Sequence, residues 1–367
     1  GLSEGAESVA GVPLALPAIL IETVSAGGGS IAAVDEGGAL RVGPRSAGAV
    51  PGPACYGRGG TEPTVTDACL VLGWLDPNYR LADSVRLDRA AAERAVATLG
   101  RDVVRQAAGV VQVAGAVMAR ALKRVSVARG IDPRAMALLP FGGAGPMFGC
   151  ALADALGMSR VVVPPHPGVL SALGLAAAPE RVDVIASLHR PLADLNAREL
   201  AGAFAPLLAA ASAALPQAAV TRFADCRLAG QGYEVTVPPA GDDPQVLTAA
   251  FRAAHRARHG HADSGAMVEL VNLRVVAERP ALIARARNAN GAEGGARGRG
   301  ESGGERREIV TREGQIVRAD VWPLGELIPG VRFTGPAILA GSDATAVVEP
   351  GWRGVVHASG AVLLERA

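Results

Sequence analysis

Apolar and polar positions change period several times along this chain. From Ile19 to Gly43, short apolar runs alternate with glycine turns, which predicts strands and a hairpin turn at Asp35-Glu36-Gly37-Gly38. Residues 44–66, "PRSAGAVPGPACYGRGGTEPTVT", keep neither helical nor strand period. They read as a long ordered loop, a kind of segment that often carries function. Asp88 predicts the cap of a helix that runs through Leu99 and stops at Gly100. A second helix is predicted from Val103 to Arg129, before Gly130, with Val110, Val111, Val113, Val117, Met118, Leu122 and Val125 on a broad buried face. Next, "MALLPF" (136–141), "GGAGP" (142–146), "MFGCALADALG" (147–157) and "RVVVP" (160–164) read as strand, turn, helix and strand. That is a βαβ unit with a parallel strand pair.

After Pro179 the texture shifts. Residues 193–218 are Ala/Leu-rich and helical, 225–238 strand-like with a glycine turn, 247–258 helical, and 267–279 alternate as a strand. Residues 286–308 are low-complexity Gly, Arg and Glu and read as a linker. Beyond them, 309–366 reads as all-β, with Gly and Pro turns at short spacing.

The 367 residues suggest two or three domains. The chain is 49% hydrophobic, too apolar for overall disorder. A net charge of +1 argues against a nucleic-acid partner. No apolar stretch reaches membrane-span length unbroken and no signal-peptide pattern is visible, so no membrane association is expected. The four cysteines, Cys55, Cys69, Cys150 and Cys226, form no CxxC pair and read as reduced thiols in a cytoplasmic protein. Lys123 is the single lysine among 36 basic residues, a compositional bias.

The most informative motif is Phe141-Gly142-Gly143-Ala144-Gly145-Pro146, between a predicted strand and a helix start. Two readings fit it: backbone contact with a nucleotide, or a tight βα turn with no ligand. A P-loop is excluded because Gly-Lys occurs nowhere. A dinucleotide fingerprint fits poorly: Gly143, Gly145 and Gly149 are one residue too widely spaced, and no acid ends the next strand. Residues 25–30, "SAGGGS", form either a backbone nest for an anion or an ordinary turn. His255, His259 and His261 have metal-like spacing, but neighbouring arginines would repel a cation, so they read as a solvated basic helix end and no metal site is expected. His166 reads as a loop residue. The Gly300–Gly304 match to a nucleophile elbow sits in low-complexity sequence and is discounted.

Several segments together resemble the hydantoinase A/5-oxoprolinase family. They are residues 25–77, 126–146, 161–175, 230–235 ("GQGYEV") and 335–352 ("GPAILAGSDATAVVEPGW"). The resemblance implies an α/β fold: the second lobe of an actin, sugar-kinase and heat-shock-type ATPase, then an α+β domain and an all-β C-terminal region. With the pattern above, this gives 1–185 as the lobe, 186–285 as the α+β domain, 286–308 as the linker and 309–367 as the β-rich end. It also implies ATP- and Mg²⁺-dependent opening of a cyclic amide or imide, by phosphorylation of the ring amide oxygen. Some relatives are instead subunits of ATP-dependent ketone carboxylases, and a non-catalytic assembly role is a further alternative.

Carried onto this sequence, the resemblance makes Gly142, Gly143, Ala144 and Gly145 adenine- or ribose-facing backbone, with Gly27, Gly28, Gly29 and Ser30 near the nucleotide. Lys123 and Arg124 are the candidates for side chains reaching the base, the alternative being an exposed basic helix end. Arg45, Cys55, Tyr56, Arg58 and Asp67 would face the interlobe cleft or a partner. The family's two Gly-Gly-Thr phosphate segments are absent, since Gly59-Gly60-Thr61 belongs to a different part of the pattern. The chain thus looks like a C-terminal half. It is expected to lack ATP hydrolysis alone and to work with an N-terminal half and a hydantoinase B-type subunit.

Overall fold

The computed structural model describes residues 21–78, 86–238, 241–260, 265–281 and 305–367, and as backbone alone four short strands before them. These are β1 Leu2–Ser3, β2 Glu7–Val9, β3 Val12–Leu14 and β4 Ala18–Ile19; β1 pairs with β4 and β2 with β3. The predicted hairpin follows as β5 Ser30–Val34 and β6 Leu40–Ser46, and Asp35 Oδ1 accepts the Gly37 and Ala39 N–H groups in its turn.

Helix α1, Val65–Val71, begins inside the segment read as loop. Thr64 and Asp67 form a reciprocal capping box that satisfies its first N–H groups. In α2, Arg89–Ala97, Asp88 Oδ1 accepts the Ala91 N–H at 2.9 Å, as its position predicts. Helix α3, Val103–Val125, stops short of Arg129; Ser126 Oγ donates to the Leu122 carbonyl and a 3₁₀ turn at Val127–Arg129 leads to Gly130.

The βαβ expectation needs correction at its first strand. Residues 136–141 contribute a single parallel bridge, Leu138 to Val161. Pro140 has no N–H, so the ladder ends there. A 3₁₀ turn, Gly145–Phe148, then leads into α4 Gly149–Leu156 and β7 Arg160–Val163. Next comes α5 Leu170–Ala177, and then β8 Glu180–Pro191, a strand of alternating burial that the sequence reading passes over. The remaining elements are α6 Ala197–Ala214, β9 Ala219–Leu228, β10 Val235–Val237, α7 Pro244–His259, β11 Val268–Arg279, β12 Arg306–Val310, β13 Ile316–Pro323, β14 Arg332–Thr334, β15 Ala337–Ala340, β16 Thr345–Val348, β17 Trp352–Val356 and β18 Val362–Arg366.

The chain divides into two compact units, residues 1–172 with 294–367, and residues 173–293. The boundary expected at 185/186 falls inside β8. The expected linker lies outside the described residues up to 304, and its last residues already belong to β12.

In the first unit, the strands after residue 305 share sheets and cores with earlier elements. β7 joins the sheet β14-β17-β18-β7, antiparallel to β18. A second sheet runs β12-β13-β15-β16, with only β13 and β15 parallel. Phe148, Val111 and Cys69 share a core with Ile338 and Val347, and the Trp74 indole N–H donates to the Val310 carbonyl at 2.8 Å.

The second unit is an antiparallel sheet, β10-β9-β11-β8, with helices α6 and α7. Leu200, Phe204, Leu247 and Phe251 of the helices share its core with Cys226, Leu270 and Leu273 of the strands. Helix α6 begins with a capping box between Asn196 and Glu199.

Candidate functional site

The first turn of α1 fixes the glycine turn at 27–30. The Thr66 N–H and hydroxyl both donate to the Gly28 carbonyl at 2.9 Å. Ser30 is buried, and its Oγ accepts the Gly27 N–H at 2.9 Å. That serine therefore braces the turn internally, and the Gly27 N–H is not available to an anion.

The turn at 142–145 lies against this one. A Cβ at Gly28 would stand 3.7 Å from the Ala144 Cβ and 2.8 Å from Thr66 Oγ1, so glycine permits the approach. The Gly142 N–H donates to the Pro167 carbonyl at 2.7 Å. The far side of this corner is open. Nothing stands within 4 Å of where a Cβ at Gly27 or Gly142 would sit, Gly143 is exposed, and Phe141 is 49% exposed. The structure thus brings the turns 27–30 and 142–145 into contact at Gly28 and Ala144, with Gly27, Gly142 and Gly143 on the open side, while Gly29 faces Ser46 and Gly48, Gly145 faces Pro140, and Ser30 is buried.

The loop residues separate into two groups. Asp67 is fully buried and accepts four hydrogen bonds: from the N–H groups of Ala54 (3.2 Å), Cys55 (2.7 Å) and Thr64 (2.9 Å), and from the Thr64 hydroxyl (2.7 Å). Cys55 is buried beside it, and burial with the nearby Asp67 charge pushes its thiol pKa far up. These two do not face a cleft, because the carboxylate is what closes the loop on α1. Tyr56 is half-buried, and burial raises its phenol pKa. Arg45 is exposed and pairs with Glu62 at 2.7 Å, and Arg58 is exposed.

Lys123 and Arg124 stand exposed on the last turn of α3. Arg124 pairs with Glu22 at 2.5 Å, and among the described residues no hydrogen bond or ion pair joins either side chain to the glycine corner. His255 departs from the solvated reading. It is buried, with its ring 5.6 Å from Phe251 and 4.6 Å from His259; His261 and Gly300–Gly304 lie outside the described residues. His166 is an exposed loop residue. All four cysteines are buried, and burial pushes Cys150 and Cys226 up to about 12, which removes thiolate chemistry at neutral pH.

Among the described residues, no three His, Cys, Asp or Glu side chains gather as metal ligands, and no helix is long and apolar enough to cross a membrane. A cavity of about 570 Å³ in the second unit is lined by Arg181, Thr221, Phe223, Val276, Glu278 and Pro280 among others. Arg181 is already paired with Asp183 at 2.7 Å, and the cavity is remote in sequence from both glycine turns. The backbone corner is the better candidate.

The sequence reading missed three contributors: the Thr66 contact with Gly28, the Pro167 carbonyl that accepts the Gly142 N–H, and Asp343, whose carboxylate accepts the Gly168 N–H at 3.0 Å. Thr64 followed three residues later by Asp67 was the legible signal for the first. The other two come from pairings that no spacing in the sequence announces.

Comparison with known proteins decides the family. The hydantoinase/oxoprolinase model matches residues 3–184, and the hydantoinase/oxoprolinase C-terminal domain model matches residues 247–362. The chain belongs to the hydantoinase/oxoprolinase family. It is 36% identical over 363 residues to an uncharacterized protein of Methanocaldococcus jannaschii, covering 97% of this chain and 52% of that protein. It is 34% identical over 366 residues to caprolactamase subunit alpha of Pseudomonas jessenii, covering 93% and 51%. The chain therefore spans about half the length of these curated relatives. Over 158 residues, 41% of the chain and 21% of the relative, it is 43% identical to the acetophenone carboxylase gamma subunit of Aromatoleum aromaticum. Among solved structures, the ATP-dependent caprolactamase of Pseudomonas jessenii matches with TM-score 0.65 and 31% identity over 97% of this chain and 54% of its own. Nucleotide-free acetone carboxylase matches in fold, with TM-score 0.85 at 24% identity over 99% of this chain and 55% of its own.

Proposed function

We propose that the first unit forms the adenosine side of an ATP site, in an enzyme that opens a cyclic amide or imide ring. One observation carries this reading: two glycine turns, far apart in sequence, meet with their backbone facing open space. Bare backbone lets a sugar and a base lie against the chain, where a side chain would hold them off. Similarity to an ATP-dependent caprolactamase supports the reaction class. In this reading the unit is the second lobe of an actin, sugar-kinase and heat-shock-type ATPase fold.

Gly142, Gly143, Ala144 and Gly145 then face adenine or ribose, and Gly27, Gly28 and Gly29 flank them. Lys123 is the candidate cation for the base, since Arg124 would first have to leave Glu22. Tyr56, Arg45 and Arg58 are the members of the polar loop that can meet a substrate or partner. An amide resists water because resonance holds its C–N bond. Bound ATP would supply a phosphoryl group to the ring amide oxygen, leaving ADP and ending that resonance, so that water could add to the carbon, the ring C–N bond break and phosphate leave. This chain's part is to hold the adenosine end still. In this reading most of the Mg²⁺ ligands belong to the complementary half, and among the described residues no three His, Cys, Asp or Glu side chains gather. The partners in this reading are a complementary half carrying the phosphate-binding Gly-Gly-Thr segments and a hydantoinase B-type subunit, in the cytoplasm.

Calorimetry and a ring-opening assay test this. ATP is expected to bind more tightly when the complementary half is present. Hydrolysis of 5-oxoproline, a hydantoin or caprolactam is expected only from the assembly, with no ATP turnover by the chain alone. Mg²⁺-dependent turnover by the chain alone, or an assembly that binds no ATP, overturns the reading. The likeness to a carboxylase gamma subunit supports a second reading, ATP-dependent carboxylation of a ketone. Incorporation of labelled bicarbonate into a ketone, without lactam opening, would select it.

A further inference from the structure

The glycine corner is held from a third segment that lies far along the chain. The turn Gly341–Ala344 joins β15 to β16 and is closed by the Gly341 N–H on the Ala344 carbonyl at 2.9 Å. Strand β16 is buried along its whole length and β15 nearly so, which makes this turn a firm support. From it, Asp343 Oδ2 accepts the Gly168 N–H at 3.0 Å, across 175 residues. The approach is as close as backbone allows, since a Cβ at Gly168 would collide with the Asp343 carbonyl oxygen. The preceding residue, Pro167, accepts the Gly142 N–H at 2.7 Å. The Asp343 carbonyl oxygen also lies 3.8 Å from where a Cβ at Gly143 would sit. A relay therefore runs from Asp343 to Gly168, Pro167 and Gly142, and ends at the open face.

We infer that Asp343 is a positioning residue for the nucleotide. It anchors the Pro167–Gly168 segment and so orients the Gly142–Gly143 backbone against which the adenosine lies. The inference rests on the corner being the ATP site. Its physical basis is preorganisation: a backbone face that must be ordered during binding loses affinity, and one held beforehand does not. A charge-assisted hydrogen bond from a buried strand pair is a strong way to hold it.

The test compares wild type, Asp343→Ala and Asp343→Asn in the full chain assembled with its complementary half, by two readouts. One is amide hydrogen exchange over residues 141–146 and over β15 and β16, and the other is the dissociation constant for ATP. In Asp343→Ala, exchange at 142–144 rises and ATP binding weakens about tenfold, the equivalent of one lost hydrogen bond. The β15 and β16 amides stay as protected as in wild type. Asp343→Asn retains an acceptor oxygen and restores both readouts. If Asp343→Ala fails to fold, Asp343→Leu fills the space without an acceptor and takes its place. Faster exchange in β15 and β16 together with the corner, or ATP affinity within twofold of wild type, overturns the inference while leaving the ATP site standing. Wild type that binds no ATP even when assembled with the complementary half removes the site itself and the inference with it.

Discussion

Two loops of the first unit, residues 54–67 and 141–146, are both rich in glycine and proline, yet they treat their polar groups in opposite ways. In the first, the Asp67 carboxylate draws in four donors and is sealed from water. In the second, backbone faces open space and the neighbouring Phe141 is left half exposed. The two are linked, because the helix capped by Thr64 and Asp67 carries Thr66, and Thr66 holds Gly28 beside Ala144. The sealed loop is a foundation and the open one a working face. Chemically rich side chains marked the foundation, and residues with almost no side chain mark the face.

The largest effect expected from this contrast is at Asp67. Replacing it with Ala leaves three backbone N–H groups and a hydroxyl without their acceptor in a buried place. Each such orphan costs about 1–3 kcal/mol, so Asp67→Ala is expected to destabilise the first unit by about 3 kcal/mol or more. Trp74, Trp322 and Trp352 all belong to that unit, so tryptophan fluorescence in urea reads its unfolding apart from the second unit. A loss under about 1 kcal/mol would mean that the loop does not rest on this carboxylate.

A second buried carboxylate shows what happens when donors are scarce. Glu349 shares the Arg312 guanidinium, at 3.2 Å, with Asp154 at 3.3 Å and Glu313 at 2.7 Å. Burial pushes Glu349 up to about 7; Arg312 works against this, while Glu313 and Asp154 add to it. Its folded value thus exceeds its ordinary value of 4.5. The stability it contributes is fully present below that ordinary value and is lost as pH rises through about 7. The difference between wild type and Glu349→Gln should therefore change by up to about 3 kcal/mol between acid and neutral pH. Parallel stability profiles for the two proteins would show that Glu349 titrates normally.

What could be read in advance follows from the range of the interactions. Asp88 and the Asp35–Gly38 turn act over three or four residues, and the structure has them as predicted. Strand β8 was equally local, with a regular alternation from Glu180 to Pro191, but Ile185 stands on its exposed face and the small Ala186 on its packed one, which blurs the apolar signal. Helix α1 hid behind the glycines and prolines before it, although Thr64 and Asp67 spell its cap. At Leu138, where a strand is expected, only a short parallel bridge forms, because Pro140 lacks the N–H that a longer ladder needs. The pairings that build the corner, Gly28 with Ala144 and Gly168 with Asp343, are set by tertiary packing, and neither the resemblance to a family nor any periodicity contained them.

The smallest change in stability, and the sharpest division between foundation and face, is expected at Gly28. Its backbone is not in the left-handed region, so its conformation is open to alanine, which reduces the freedom of the unfolded chain and favours folding by about 0.4–1 kcal/mol. Against this, the new methyl meets Thr66 Oγ1 at 2.8 Å, so that hydroxyl must turn away from the Gly28 carbonyl. That part-buried hydrogen bond is worth about 0.5–1.5 kcal/mol. Gly28→Ala should therefore leave the stability of the first unit within about 1 kcal/mol of wild type. The methyl also lies 3.7 Å from the Ala144 Cβ, so any shift of the 27–30 turn is passed to the 142–145 turn. ATP affinity should then fall about tenfold with the fold intact, the reverse of the Asp67→Ala pattern. Equal ATP affinity in Gly28→Ala and wild type would separate the two turns as parts of one site, and would leave their contact a matter of packing.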